Sequence, residues 1–300
     1  MVNSSLTKFA WLSIFTAVAT ISLKSIAYFL TGSVGLLSDA LESLVNLAAA
    51  IIALTMLKIA EQPPDEEHRY GHSKAEYFAS IMEGLFIFVA AVAIIVSAVN
   101  RIIHPKIIEQ TYIGLGISIT ASIINYVVSV KLLKVGKKYH SITLEADGHH
   151  LMTDVITSIG VIVAVFLVAV TGWQILDPIV AIFVAFNIIL TGYKLMKRSV
   201  LGLLDSSISS EEINIIKSIL NKYERKGLKF HGLRPRQSAQ RRFVDFHVLT
   251  PGNWSVRKGH DILEDIEKEI RDSIDKVTIS THLEPVEDPR SHEDISIERN

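Results

Sequence analysis

Cysteine is absent, which excludes disulfides and thiolate metal sites. Any bound metal must therefore use histidine, carboxylate and amide ligands. An excess of charge is also missing. The 30 basic and 31 acidic residues leave a net charge of −1, which offers nothing to nucleic acid. Only Lys8 precedes the first apolar run and no small-residue cleavage site follows it, so the N-terminus is expected to be a retained helix rather than a signal peptide. The His-Glu-xx-His pattern of membrane metalloproteases does not occur, and no residue stands out as a general base beside an open metal position. The expectation is a protein that is not an enzyme.

Apolar sequence is abundant. Hydrophobic residues make up 49% of the 300 residues, and mean hydropathy is +0.35. Six apolar runs, at about 9–30, 34–57, 77–99, 112–133, 145–170 and 175–196, each approach the ~20 residues that cross a bilayer as a helix. The fifth is amphipathic and the weakest of the six as a span, because its entry carries Glu145, Asp147, His149, His150 and Asp154. The expected fold class is a polytopic α-helical membrane protein with six transmembrane helices. Lys58, Arg69 and Lys74 lie between runs two and three. Lys131, Lys134, Lys137 and Lys138 occupy an expected loop at 131–140, and Lys194, Lys197 and Arg198 follow run six. The opposite side offers only Arg101 and Lys106. The positive-inside rule then puts both termini in the cytoplasm of a multi-pass protein of the cell (plasma or inner) membrane.

Charge concentrates after residue 205, where the pattern changes to that of a small soluble domain. Ser209-Ser-Glu-Glu212 resembles a capping box that opens a helix running to about Lys226. Gly227–Gln237 and Arg241–Thr250 are strand-like, Pro251-Gly252-Asn253 is a turn, Ser255–Ser273 a charged amphipathic helix, and Lys276–Leu283 a third strand. The expected order is αββαβ, a ferredoxin-like α+β layer. The domains are then 1–205 for the six-helix membrane part, 206–285 for the small soluble part, and 286–300 for a polar tail expected to be disordered.

Two stretches carry the chemistry. Asp39, Glu42 and Asn46 in run two, and Asp147, His150 and Asp154 in run five, both fall at offsets 0, +3 and +7. On helices these offsets share one face. Ionisable groups inside membrane helices face partners, cavities or ion pathways. Glu42, Asn46, His150 and Asp154 together offer two carboxylates, an amide and an imidazole, a set that suits a borderline divalent ion. Interhelical hydrogen bonding is the competing role, above all for Asn46. Asp39 and Asp147 are open to three roles: extra ligand, helix packing or proton handling. Asp65, His68 and His72 combine a carboxylate with imidazoles in the loop after run two, either as a second metal site or as a solvated polar loop. The soluble domain holds His231, His247, His260, His282 and Glu284. The two-residue step from His282 to Glu284 places both on one face of a strand.

These residues resemble the cation diffusion facilitator family of divalent metal–proton antiporters, in particular its prokaryotic zinc and iron exporters. The likeness covers about residues 6–285. It rests on the six runs, on Thr31-Gly-Ser-Val34, on Tyr70-Gly-His-Ser-Lys-Ala-Glu76 and on Ala146-Asp147 ahead of His150-xxx-Asp154. The resemblance implies a transport site at Glu42, Asn46, His150 and Asp154. It further implies a loop site at Asp65, His68 and His72 and a cytoplasmic site at His231, His247, His260, His282 and Glu284 between the protomers of a homodimer. Lys74 and Asp205 match positions that pair near the membrane boundary of that dimer. The fifth-run pair follows the family pattern. The second-run pair departs from it, because Asp or His followed by Asp is usual there, whereas Glu42 is one methylene longer and Asn46 is neutral. The implied function is efflux of a divalent transition metal, Zn2+ first, from the cytosol by proton antiport across the lipid bilayer. Mn2+, Fe2+ or Co2+ is the alternative cargo, and a membrane-anchored metal sensor the alternative function.

Overall fold

In a computed structural model of the chain, residues 6–31, 34–104, 112–173 and 175–293 are described. Some side chains within the helices, those of Asp39 and Glu42 among them, lie outside the description, as do Gly32 and Ser33 of the Thr31–Val34 motif. The chain forms two compact units, Met1–Val200 and Leu201–Asn300.

The first unit is built from six long helices: α1 (Thr7–Thr31), α2 (Val34–Ala60), α3 (Ala75–Ile103), α4 (Tyr112–Tyr139), α5 (Ile142–Thr171) and α6 (Leu176–Leu203). Each outruns its apolar stretch. The 131–140 segment, expected as a basic loop, is helical through Tyr139, so its lysines sit on the last turns of α4. Lysine is a good helix former, and cations at a helix C-terminus oppose the helix dipole. Among the described residues, four helices are long and apolar enough to cross a membrane: Thr7–Ile26, Ala75–Ile103, Ile119–Tyr139 and Pro178–Leu203. Described α2 adds the shorter apolar stretch Asn46–Ala60.

The helix whose entry carries Glu145, Asp147, His149, His150 and Asp154 is the innermost at its start. Every side chain from Ser141 to Gly148 is buried. One apolar cluster joins Ala10, Leu54, Leu57, Val128, Leu132, Leu144 and Leu151, and so ties α5 to α1, α2 and α4. A second joins Ile87, Ala91, Ala146, Ala185, Ile188 and Leu195, and ties α5 to α3 and α6. Large apolar side chains such as Phe15, Phe29, Val96, Val127 and Phe183 point outward, as lipid-facing residues must. The polar residues of α5 are therefore directed at protein.

A buried helix start needs partners for its free N–H groups. Glu76 of α3 supplies them: its carboxylate accepts from Ser141 Oγ and from Thr143 N, while Thr143 Oγ1 donates to Glu76 O at 3.2 Å. Two turns into α5, Gly148 allows α4 to approach, since an added Cβ would meet Leu133 Cγ at 2.9 Å and Leu133 N at 3.1 Å.

The second unit follows the expected order. α7 (Ser210–Glu224) opens on the capping box, with Ser209 and Glu212 bonded reciprocally. β1 (Lys229–Ser238) pairs antiparallel with β2 (Arg241–Thr250), and β2 pairs parallel with β3 (Val277–Pro285). α8 (Val256–Ser273), capped by Ser255, packs with α7 over the sheet through Ile216, Leu220, Val244, Phe246, Ile266 and Ile270. Structure continues further than the composition implies. Val286 N donates to Thr250 O, Gly252 N to Glu287, and Pro289–His292 form a short 3-10 helix whose Ser291 Oγ donates to Pro285 O. Backbone pairing at the sheet edge orders these residues despite their polarity. Residues 294–300 lie outside the description.

Candidate functional site

The structure brings Asn46, His150 and Asp154 together between α2 and α5. His150 Nε2 lies 2.7 Å from Asn46 Oδ1, and Asn46 Nδ2 donates to Asp154 Oδ2 at 2.5 Å. One helical turn separates His150 from Asp154, so both project from the same face of α5. Glu42 lies one turn before Asn46 on α2, and its side chain is outside the described residues, as is that of Asp39. Asp147 is buried, accepts from Ser13 Oγ of α1 at 2.8 Å, and leaves Oδ2 without a hydrogen-bond partner among the described residues.

Three residues that the sequence did not single out complete this region. Asn125 of α4 donates to Asp154 Oδ2 at 3.4 Å, and its own Oδ1 is buried and unbonded among the described residues. Lys24 of α1 is close enough for its charge to act on Asp154. Glu83 of α3 is 1% exposed, with Oε2 3.0 Å from His150 Nδ1. None has a histidine or a carboxylate four positions away, so no ligand-pair spacing marks it. Near the start of α5, Glu145 is paired with Arg198 of α6.

Magnitudes separate the two roles weighed for these groups. An ionisable side chain at a membrane-helix centre costs ~2.5–3.5 kcal/mol. An interhelical hydrogen bond recovers on average ~0.6 kcal/mol. Packing alone therefore does not account for buried Glu83, Asp147 and His150 beside half-buried Asp154. Carboxylate, imidazole and amide oxygen brought to one point make a donor set that suits a divalent cation.

Two further groups of potential ligands assemble. In the loop after α2, Asp65, His68 and His72 bring ligand atoms within 4.8 Å of one another. His72 Nε2 is 3.2 Å from Asp65 Oδ2, and His68 N donates to Asp65 Oδ1 at 2.6 Å. That backbone hydrogen bond, with help from the two imidazoles, holds the Asp65 carboxyl below its ordinary value.

In the second unit, register builds the group. His231 of β1 pairs with His247 of β2, which pairs with His282 of β3, so three imidazoles form one row across the sheet. Glu284, two residues beyond His282 on the same face, is buried beneath them. Its Oε2 is 2.8 Å from His231 Nε2, and its Oε1 is 3.3 Å from His247 Nδ1 and 3.2 Å from His282 Nδ1. A bulge after His231 puts Gly232 at φ 63°, where an added Cβ would stand in ordinary contact with the His247 ring. His231, His247 and Glu284 meet the distance expected of a metal site. His260 is exposed on α8 and, among the described residues, joins none of these contacts. Lys74 precedes α3 in the first unit, and Asp205 of the second unit accepts from Arg236 Nη1 at 3.2 Å.

Comparison with known proteins agrees with these features. Residues 10–204 match the cation efflux transmembrane domain, and residues 208–286 match the cytoplasmic domain of cation efflux proteins. The chain is 50% identical over 283 residues to an uncharacterized transporter of Synechocystis sp., covering 94% of this chain and 91% of that one. It is 27% identical over 275 residues to the cation-efflux pump FieF of Shewanella oneidensis, covering 92% of each. The FieF of Salmonella arizonae is 27% identical over 270 residues, covering 90% of this chain and 89% of that one. With both domains matched and the polar cluster buried between its helices, the chain belongs to the cation diffusion facilitator family, a membrane transporter of the cation efflux type.

Proposed function

We propose that this protein exports a divalent transition metal from the cytosol in exchange for protons, with Zn2+ as the first cargo. The observation that carries the reading is the convergence of Asn46, His150 and Asp154 on one point between α2 and α5. Glu42 supplies the fourth ligand from the turn before Asn46. The relatives named as cation-efflux pumps support export over uptake.

The proton coupling follows from the chemistry of the ligands. His150 holds Nδ1 at ion-pair distance from Glu83 and donates from Nε2 to the Asn46 carbonyl, and the Asn46 amide continues the chain to Asp154. A cation needs the Nε2 lone pair, so the proton there must leave before the ion binds. Competition between proton and ion at one atom is the minimum requirement of an antiporter.

The His231–His247–Glu284 group, with His282 at its edge and His260 as a further contributor, is a regulatory metal site in a cytoplasmic domain that dimerises. Lys74 and Asp205 interlock the dimer near the membrane boundary. Asp65, His68 and His72 hold a second ion in a cytoplasmic loop. The boundaries are 1–205 for transport and 206–285 for the cytoplasmic part. Both termini face the cytoplasm of the cell membrane.

One observation favours a second cargo class. Asn125 Oδ1 is buried, unbonded among the described residues, and borne by a side chain that already touches Asp154. Two amide oxygens beside carboxylates favour ions of higher coordination number, such as Mn2+, Fe2+ or Co2+.

Flux into proteoliposomes under an imposed proton gradient tests the whole reading. His150→Ala combined with Asp154→Ala abolishes uptake of Zn2+, and His247→Ala combined with His282→Ala retains it. Zn2+ flux surviving in the first variant refutes the site.

A further inference from the structure

Glu83 sits one helix away from every proposed ligand. It lies on α3, is 1% exposed, and neither carboxylate oxygen has a hydrogen-bond partner among the described residues. One polar atom stands at ion-pair distance, His150 Nδ1 at 3.0 Å. The other ring nitrogen, Nε2, faces the opposite way, toward Asn46 Oδ1. Nothing in the family match or in the relatives' names assigns this residue a role.

We propose that Glu83 is the positioning residue for His150. Its carboxylate accepts the Nδ1 proton and so selects the tautomer and ring plane that present Nε2 to the ion between α2 and α5. The inference rests on that site being the transport site. Histidine ligands are commonly held this way, by a carboxylate on the ring nitrogen that does not touch the metal.

Geometry speaks against the simpler alternative of a fifth ligand. An ion on Nε2 stands ~2 Å beyond that nitrogen. Glu83 instead approaches the other ring nitrogen, Nδ1, at 3.0 Å. The carboxylate is also held on a firm base. Next along α3, Gly84 brings the backbone against α6, where an added Cβ would meet Met196 Cγ at 2.6 Å and Gly192 O at 3.3 Å. One turn earlier, Ser199 Oγ of α6 donates to Ser80 Oγ at 2.7 Å. The α3–α6 contact thus sets the position of Glu83, and Glu83 sets the ring of His150. Orientation comes from a part of the bundle that supplies no ligand.

The test uses the full chain in detergent for binding and in proteoliposomes for flux, with Zn2+ and with Mn2+ as probes. Glu83→Ala is expected to raise Kd and KM by about 10- to 100-fold with little change in kcat, as loss of an orienting partner does. Glu83→Gln keeps an acceptor oxygen for the Nδ1 proton, and its Kd and KM stay within about threefold of the parent, well short of that loss. In protein carrying 15N-histidine, metal-loaded parent and Glu83→Gln show a protonated Nδ1 and a ligating Nε2 at His150, and Glu83→Ala shows a tautomer mixture. Should Glu83→Ala fail to fold, Glu83→Asp carries the test, because it withdraws the carboxylate by one methylene and should weaken binding as well.

Unchanged binding in Glu83→Ala, or in Glu83→Asp where that is the folded variant, overturns the proposal. So does impairment of Glu83→Gln equal to that of the alanine variant, which would assign the role to charge rather than orientation. Flux surviving in His150→Ala with Asp154→Ala refutes the α2–α5 site itself. Flux lost there with Glu83→Ala indistinguishable from parent refutes only the orienting role.

Discussion

Replacing Asn46 with aspartate tests what is unusual about this transporter. Asn46 Nδ2 stands 2.5 Å from Asp154 Oδ2, so the substitution puts a second carboxylate where an amide donated a hydrogen bond. Two unit charges only 4 Å apart repel by ~4 kcal/mol at an effective dielectric of ~20, and these would be closer. Two carboxylates so placed do not both ionise in the absence of a cation, and one proton is shared between them. A divalent ion removes that proton on binding. The Asn46→Asp variant should therefore release about one more proton per bound ion than the parent, and the plot of log KM against pH should steepen by up to one unit across the neutral range. Above that range the added anionic ligand should tighten Zn2+ binding at least ~10-fold, since ~1.4 kcal/mol of the ion's attraction to the new charge suffices. The assay is Zn2+ flux into proteoliposomes at a series of pH values, run beside Mn2+ and Co2+, with proton release followed by a pH dye in detergent. A variant whose pH slope and ion ranking match the parent would refute the reasoning, and the neutral side chain at this position would then have no bearing on coupling.

Other consequences are more local. Gly148→Ala should lower flux and destabilise the first unit by ~1–3 kcal/mol, because its Cβ collides with Leu133 and pushes α4 from α5; Gly116→Ala, which meets open space, is the control, and thermal melts with flux compare them. Arg242 is 3% exposed and bonds Glu212 Oε1 at 2.8 Å and Ala239 O at 3.1 Å, so Arg242→Ala should cost the second unit ~1.5–3 kcal/mol in melts of the full chain. For Glu212 itself, burial alone would raise the carboxyl, but hydrogen bonds from Arg242 and Ser209 outweigh burial and hold it below its ordinary value. A folded value below the unfolded one means stabilisation present above about pH 4.5 and lost as pH falls through the folded value, so parent melting temperature should fall there more steeply than that of Glu212→Gln. Glu284→Gln removes the one carboxylate that meets His231, His247 and His282, and equilibrium dialysis should find one fewer Zn2+ bound per chain while flux persists.

Much of this was legible in the sequence. Helix positions followed from apolar run length, because a bilayer span leaves few alternatives. The αββαβ order followed from a capping box, alternation and turns, all local signals. The pairing of His150 with Asp154 was readable from the i, i+4 repeat alone, and so was the face shared by His282 and Glu284. Ends of elements were less legible. The lysines that marked a loop are compatible with the last turns of α4, and polar residues after Pro285 are ordered by backbone bonds that composition does not carry.

The remainder depended on contacts between segments far apart in the chain. Glu83, Asn125 and Ser13 lie on three different helices, and only the packing of α1, α3 and α4 around α5 brings them to Asp147, His150 and Asp154. The histidine row of the second unit needed strand register, which a bulge after His231 shifts by a residue and which left His260 on an exposed helix face. Local spacing determines which residues share a face, since helix and strand periods are properties of the backbone. Which faces meet is decided by burial across the whole fold. The sequence by itself therefore determined the class of protein, a cation-efflux membrane protein with imidazole and carboxylate inside its helices. The tertiary structure decided which polar groups stand beside them, because those come from helices far apart in the chain.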